Sequence, residues 1–120
     1  MKKKNILIYD DDAEILFLCK TILQKYDFTV ETLSRCDDII HDIDRVNPNF
    51  ILMDLWIPEI GGERAVKLIK ENNATKHIPV FLFSANTDIK EICKKVDANG
   101  YIEKPFDLKE FISTIQNSLQ

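Results

Sequence analysis

Short apolar segments alternate with segments of helical periodicity along the whole chain. The apolar segments predict five strands, at residues 5–9, about 28–33, 50–54, 79–84 and 100–103. The first, third and fourth are continuously apolar, which is typical of strands that are covered on both faces. This alternation predicts a doubly wound α/β fold, with a five-stranded parallel sheet in the order 2-1-3-4-5, five helices and right-handed crossovers.

The helices are predicted between and after these strands. The last begins after Asp107, where Glu110, three residues on, completes a capping-box pattern. The second is predicted over residues 35–46, opened by Ser34 with Asp37 three residues on. The other three are predicted at about 12–26, 62–72 and 87–97.

The first of these helices is apolar around more than one face. Its segment from Ile15 to Cys19 contains no polar residue. This pattern indicates either an unusually buried helix or a patch near Leu16 or Phe17 that docks on a partner.

Length and charge limit the possible functions. A chain of 120 residues predicts one domain over residues 1–120, and 45% apolar residues are enough for a core. The net charge of −4 disfavours direct binding to nucleic acid or to an anionic membrane.

Cysteine usage and hydropathy indicate a cytoplasmic location. The three cysteines are odd in number and lack CxxC spacing, which predicts buried reduced thiols rather than a disulfide framework. The first apolar run ends at Asp10, too early for a secretory signal, and no segment approaches membrane-spanning length.

Polar residues follow the predicted strands where a parallel sheet gathers its ligands. Asp10 and Asp11 follow strand 1, Asp54 ends strand 3, Ser84 ends strand 4, and Lys104 follows strand 5. The carboxyl ends of strands 1, 3 and 4 are neighbours in the predicted order, so these side chains should converge on one pocket. The next residue, Asp12, is better interpreted as the N-cap of the first helix.

Three carboxylates at one strand edge repel one another unless a cation neutralises them. An all-oxygen set without nearby His or Cys predicts Mg²⁺ or Mn²⁺, with coordination positions left for water and a phosphoryl group. Lys104 would supply a positive charge for a phosphoryl oxygen or for the acidic cluster, and Ser84 would supply a hydroxyl donor. A carboxylate in this setting is positioned to attack phosphorus and form an acyl phosphate.

Other sites fail on particular residues. No GxGxxG follows strand 1 and no GxxxxGK[ST] is present, which excludes dinucleotide and P-loop sites. A haloacid-dehalogenase-type phosphohydrolase has D-x-D-x-[TV] after its first strand, and Glu14 occupies the last of these positions. His41 and His77 are isolated, so we interpret them as surface or helix-end residues.

Four motifs, in order along the chain, resemble those of the receiver domain of bacterial two-component response regulators, the CheY-like family, whose fold is flavodoxin-like. Residues 6–12 look like its acidic first-strand signature, and residues 54–62 resemble its phosphoacceptor loop. The segments 83–85 and 101–106 are similar to its two remaining motifs.

The resemblance implies a role for each matched residue. Asp54 would be the phosphoacceptor, and Asp10, Asp11, Asp54 and the backbone carbonyl of Trp56 would hold Mg²⁺ or Mn²⁺. Lys104 would bind the phosphate, and a cis peptide bond between Lys104 and Pro105 would orient the lysine. Ser84 would be the switch hydroxyl and Tyr101 the aromatic residue that turns inward with it, changing the face formed by helix 4, strand 5 and helix 5.

The function expected from the resemblance is that of a stand-alone response regulator. It would take a phosphoryl group from a sensor histidine kinase or a histidine phosphotransfer protein, then bind an unknown protein target. It would catalyse its own phosphorylation and dephosphorylation without being a turnover enzyme. The alternatives are a phosphorelay intermediate, which docks through Phe17 and the loop after strand 5, the receiver part of a longer regulator, and a phosphohydrolase.

Trp56 departs from the polar or small residues common two positions after the phosphoacceptor. Its ring either covers the loop or shields the aspartyl phosphate from water.

Overall fold

The structure is a computed structural model that describes residues 3–120. Met1 and Lys2, the first two residues of the predicted domain, lie outside the described residues. The strands are β1 (Asn5–Tyr9), β2 (Thr29–Leu33), β3 (Phe50–Asp54), β4 (Val80–Ser84) and β5 (Gly100–Glu103). The helices are α1 (Ala13–Lys25), α2 (Ile39–Val46), α3 (Gly62–Glu71), α4 (Ile89–Val96) and α5 (Leu108–Ser118). All strand pairs are parallel in the order β2-β1-β3-β4-β5, which confirms the predicted fold.

The sheet separates two apolar layers because successive side chains of a strand point to opposite faces. One layer packs Leu7 and Ile51 against α2, α3 and α4. The other packs Ile8 and Leu52 against α1 and α5. Burial on both faces explains why the central strands are continuously apolar.

Side-chain caps fix the start of two helices as the sequence predicts. Asp12 Oδ1 accepts hydrogen bonds from the backbone N–H groups of Glu14 and Ile15, at 2.9 and 3.3 Å. Asp107 caps α5 in the same way. Caps of this kind typically contribute about 1 kcal/mol to stability. The Asp12 side chain therefore stabilises the start of α1 as an acceptor of hydrogen bonds.

The predicted start of the second helix is wrong. The helix α2 begins at Ile39 with Asp38 as its N-cap, and not after Ser34. The backbone N–H of Cys36 donates to the Pro58 carbonyl, and the Cys36 carbonyl accepts from the N–H of Ile60. These long-range hydrogen bonds, which local sequence patterns do not reveal, hold the segment before α2 against the loop after β3.

Surface features agree in part with the sequence. His41 and His77 are exposed, as predicted. On α1, Leu16 is buried, whereas Phe17 is 74% exposed, so the apolar surface of this helix centres on Phe17. Among residues 3–120, no helix combines the length and apolar character needed to cross a membrane.

The three cysteines should resist thiol reagents. Cys19, Cys36 and Cys93 are free and buried, and burial raises the pKa of both Cys19 and Cys36 to about 12. Since the thiolate is the reactive form, we expect almost no labelling of the native protein by a thiol-reactive disulfide at pH 8. Unfolding in guanidinium should expose all three cysteines. Fast labelling of the native protein would contradict this expectation.

Candidate phosphoacceptor and metal site

Three buried polar residues lie at the carboxyl edge of the sheet. Asp10 directly follows β1, Asp54 ends β3 and Ser84 ends β4, and their relative exposures are 0%, 3% and 2%. The parallel order places β1 beside β3 and β3 beside β4, so the ends of these strands meet at one edge. Burial of polar groups in an otherwise apolar sheet is costly unless partners compensate it, which marks this edge as a site.

The carboxylates of Asp10, Asp11 and Asp54 form one cluster. One oxygen of each lies within 4.8 Å of the corresponding oxygens of the other two, and Asp11 is the exposed member. Hard divalent cations such as Mg²⁺ or Mn²⁺ bind sets of carboxylate oxygens. The donor atoms therefore fit the cation predicted from the sequence.

Lys104 supplies a positive charge to this cluster. Its Nζ lies 2.6 Å from Asp10 Oδ2, and its backbone N–H donates to the Ser84 carbonyl at 3.0 Å. Asp10 Oδ1 accepts a hydrogen bond from the backbone N–H of Asp12 at 2.9 Å. The peptide bond from Lys104 to Pro105 is cis, as the family resemblance implies.

The carboxylate of Asp54 has a weaker set of partners. Its Oδ1 accepts a hydrogen bond from the backbone N–H of Trp56 at 3.3 Å. Burial raises the pKa of Asp54 to about 6, and the positive charge of Lys104 opposes this rise. The charges of Asp10 and Asp11 add to it. An anion that is buried beside other anions is poised to gain from a cation or to react.

The loop after β3 returns close to the backbone of Asp54. A Cβ atom at Gly62 would lie 2.5 Å from the Asp54 carbonyl oxygen and 2.6 Å from Leu55 Cα. The Gly62 N–H also donates to the Leu55 carbonyl at 3.0 Å. Only glycine permits this approach, which holds the start of α3 against the end of β3.

Asn86 belongs to the pocket but was not identified from the sequence. Its backbone N–H donates to Ser84 Oγ at 3.1 Å, and its Oδ1 accepts from the N–H of Asp88 at 2.7 Å. An asparagine two residues before an aspartate at a helix start is a turn signal that could have located it.

One pocket collects most of the residues predicted for the site. Its lining includes Asp10, Asp11, Asp54, Trp56, Ser84 and Lys104, together with Asp12, Ala85 and Asn86. Tyr101 lies elsewhere, half-buried on β5 among the apolar residues that pack with α4, and lines a separate cavity beside α5. The switch role of Tyr101 and metal binding by the Trp56 carbonyl stay predictions.

Comparison with known proteins identifies the family. The family model described as the response regulator receiver domain matches residues 6–116. The chain belongs to the receiver domain family. The receiver resemblance seen in the four sequence motifs is thereby confirmed.

Curated receiver relatives differ widely in length. The chain is 29% identical to Protein PilG of Pseudomonas aeruginosa over 92% of its own length and 84% of PilG. It is 25% identical to the DNA-binding transcriptional regulator NtrC of Proteus hauseri, over 99% of its own length but 25% of that protein. The chain therefore spans most of one relative and a quarter of the other.

Solved receiver structures have the same fold. The chemotaxis response regulator CheY4 of Vibrio cholerae matches with a TM-score of 0.89 at 24% identity, covering 98% of this chain and 100% of that one. The receiver domain of the sensor histidine kinase PA1611 from Pseudomonas aeruginosa matches at 0.88 and 22% identity, covering 98% of each chain. That structure has a magnesium ion coordinated in its active site cleft.

Proposed function

We propose that this receiver domain accepts a phosphoryl group on Asp54 and thereby controls the binding of a protein partner. The observation that carries the proposal is the position of the Asp54 carboxylate, which clusters with those of Asp10 and Asp11 in the pocket that Lys104 also lines. Its raised pKa indicates a carboxylate that few partners stabilise in the free state.

The proposed reaction transfers the phosphoryl group from a phosphohistidine of a sensor kinase or phosphotransfer protein. A carboxylate oxygen of Asp54 attacks phosphorus, the phosphorus–nitrogen bond breaks, and the imidazole leaves with the electron pair and takes up a proton. The product is an acyl phosphate on Asp54. Asp54 must be unprotonated to attack phosphorus. With a pKa of about 6, the unprotonated form predominates at neutral pH.

Asp10, Asp11, Asp54 and the backbone carbonyl of Trp56 would hold Mg²⁺ or Mn²⁺. When bound, the cation would neutralise the carboxylates and the charge on the transferring phosphoryl group. The acidic cluster of this chain and the magnesium ion in the PA1611 receiver support this part of the proposal.

Lys104 and Ser84 would contact the phosphoryl oxygens. The Lys104 ammonium is already at the pocket wall beside Asp10, and its charge suits an anionic phosphoryl group. Ser84 Oγ accepts the N–H of Asn86, so its own proton can be donated to a phosphoryl oxygen.

Movement of Ser84 toward the phosphoryl group would be transmitted to the surface formed by α4, β5 and α5. In the β4 to β5 register, Ser84 is opposite Glu103 and Leu82 is opposite Tyr101. Tyr101 therefore lies two positions from the partner of Ser84 and is half-buried, so the ring could turn inward when the hydroxyl moves. Two positions of this ring would give the bistable element that a phosphorylation switch needs.

We propose that the protein is a phosphorylation switch and not a turnover enzyme. Incubation with Mg²⁺ and a small phosphodonor such as acetyl phosphate should give one acid-labile phosphate retained on the chain. Continuous release of phosphate from many phosphate esters would instead indicate a phosphohydrolase. The proposal fails if the protein takes up no phosphate while the Mg²⁺ is bound.

A phosphorelay intermediate is the second candidate. The observation that favours it is the exposed ring of Phe17, on the helix that begins directly after the acidic cluster. A helix from a histidine phosphotransfer protein could pack on this ring while its histidine reaches the pocket. In a chase, loss of the phosphate to such a protein, slowed in Phe17→Ala, would identify this function.

Whether the receiver acts alone depends on whether its reading frame also encodes other domains. The share of PilG that the chain spans supports a stand-alone regulator, and the small share of NtrC is what the receiver part of a longer regulator would give. Sequencing across the codon for Gln120 separates the two.

A cytoplasmic location is part of the proposal, because the ATP that supplies phosphohistidine is made there.

Trp56 should lengthen the life of the aspartyl phosphate. Its side chain is 69% exposed at the rim of the pocket, where it can limit the access of water to Asp54. We expect Trp56→Asn to shorten the phosphate lifetime severalfold, and the matched control Trp56→Phe, which keeps a ring, to preserve it. Loss of labelled phosphate over time measures both, and equal lifetimes in all three proteins would show that the ring only covers the loop.

A further inference from the structure

The ammonium group of Lys104 lies over the ring of Phe83. The Nζ atom is 4.5 Å from the ring centroid, in addition to its 2.6 Å contact with Asp10 Oδ2. The Lys104 side chain is 20% exposed, so water only partly screens these contacts. A cation at this distance from an aromatic face is attracted by the ring electrons, and more strongly where water is scarce.

Other aromatic rings hold Phe83 in place. Phe83 is fully buried, and its ring centroid lies 5.4 Å from that of Phe106 and 6.2 Å from that of Phe111. The rings of Phe106 and Phe111 stack on each other at 4.8 Å. These rings come from β4, the loop after β5 and the helix α5, so two elements outside its own strand pack against Phe83.

The backbone places the lysine at the same point. Phe83 directly precedes Ser84, whose carbonyl accepts the backbone N–H of Lys104 at 3.0 Å. The end of β4 thus contacts Lys104 at both its backbone and its ammonium group. An aliphatic residue at position 83 could fill the core but would not attract the cation.

We propose that Phe83 is a positioning residue whose ring, together with Asp10, fixes the ammonium group of Lys104 at the inner wall of the pocket. This inference rests on the proposed function for its effect on phosphorylation, whereas the contact itself does not depend on any reaction. Fixing the ammonium before the phosphoryl group arrives would reduce the ordering needed in the transition state.

The contact can be observed by proton NMR of the protein in EDTA. Protons above the face of a ring resonate upfield, so the ε-methylene protons of Lys104, assigned by their loss in Lys104→Met, should be shifted upfield in the wild type. The shift should disappear in Phe83→Leu. It should persist in Phe81→Leu, a matched control on the same strand. The ring centroid of Phe81 lies 5.1 Å from that of Phe50.

The effect on the reaction is measured with acetyl phosphate and Mg²⁺. We expect Phe83→Leu to slow phosphorylation by about three- to tenfold, the range for losing a partly shielded cation–π contact. Phe81→Leu should leave the rate near that of the wild type. In a Lys104→Met background, Phe83→Leu should cause no further slowing, because its effect acts through the lysine.

Several results would overturn the proposal. These are an unshifted Lys104 signal in the wild type, an unchanged signal in Phe83→Leu, or equal slowing by Phe83→Leu with and without Lys104. If Phe83→Leu does not fold, Phe83→Met replaces it in each measurement. A wild-type protein that takes up no phosphate refutes the proposed function, while the NMR result still decides whether Phe83 holds Lys104.

Discussion

Replacing Asp11 by asparagine should slow Mg²⁺-dependent phosphorylation by about a hundredfold or more, since charge stabilisation by a bound cation is worth several kcal/mol. The Asp11 carboxylate lies within 4.8 Å of those of Asp10 and Asp54, and it is the exposed member of the cluster. Among residues 3–120, no hydrogen bond to the Asp11 side chain is present, so the substitution should remove the proposed metal ligand without breaking the fold. Phosphate uptake against Mg²⁺ concentration and thermal unfolding in EDTA measure the two effects separately.

Asp12→Asn is the matched control for this experiment. It makes the same chemical change in the next residue, where the side chain caps α1 through hydrogen bonds to the N–H groups of Glu14 and Ile15. An asparagine oxygen accepts the same hydrogen bonds, so we expect a phosphorylation rate close to that of the wild type. Equal damage by the two substitutions would contradict the division of the aspartate run into metal ligands and a helix cap.

Asp54→Asn should stabilise the protein in EDTA at neutral and higher pH. Burial holds the pKa of Asp54 at about 6, above its ordinary value of 3.8, so the folded protein binds this proton more tightly than the unfolded chain. Stability from this residue is therefore fully present below about pH 4 and is lost as the pH rises through about 6. A shift of this size corresponds to roughly 3 kcal/mol, and relaxation and water penetration around the buried charge should reduce the measured effect to about 1 to 2 kcal/mol.

Urea unfolding of both proteins between pH 4 and 8 measures this difference. The free-energy advantage of Asp54→Asn should grow with pH, and Mg²⁺ should reduce it by stabilising the wild type more. Asp44→Asn, which also removes one negative charge, at an exposed carboxylate of α2, is the matched control. An Asp54→Asn protein that is less stable than the wild type in EDTA at pH 8 would show that burial of the charged Asp54 carboxylate does not destabilise the fold.

The sheet and the position of the site could be predicted because both depend on patterns that survive in the sequence. Strands that are buried on both faces must be apolar throughout, and the strand order then places their polar ends together. For this reason the strand order alone places Asp10, Asp54 and Ser84 at one edge of the sheet. The cap at Asp12 was equally predictable, because capping depends on residues only two or three positions apart.

Features that depend on long-range contacts could not be predicted. The start of α2 was misplaced because Cys36 is hydrogen-bonded to the loop after β3, which lies more than twenty residues away in the sequence. The contact between Lys104 and Phe83 depends on how three phenylalanine rings pack together, and no spacing rule describes such packing.

The site of phosphorylation is the most direct test of the account. The wild-type protein is incubated with Mg²⁺ and acetyl phosphate, treated with borohydride to reduce the acyl phosphate, digested, and sequenced by mass spectrometry. We expect homoserine at position 54 in the wild type and no such conversion in a mock reaction without phosphodonor. Stoichiometric phosphate with residue 54 unmodified, or with the modification at another residue, would contradict the assignment of Asp54 as the phosphoacceptor.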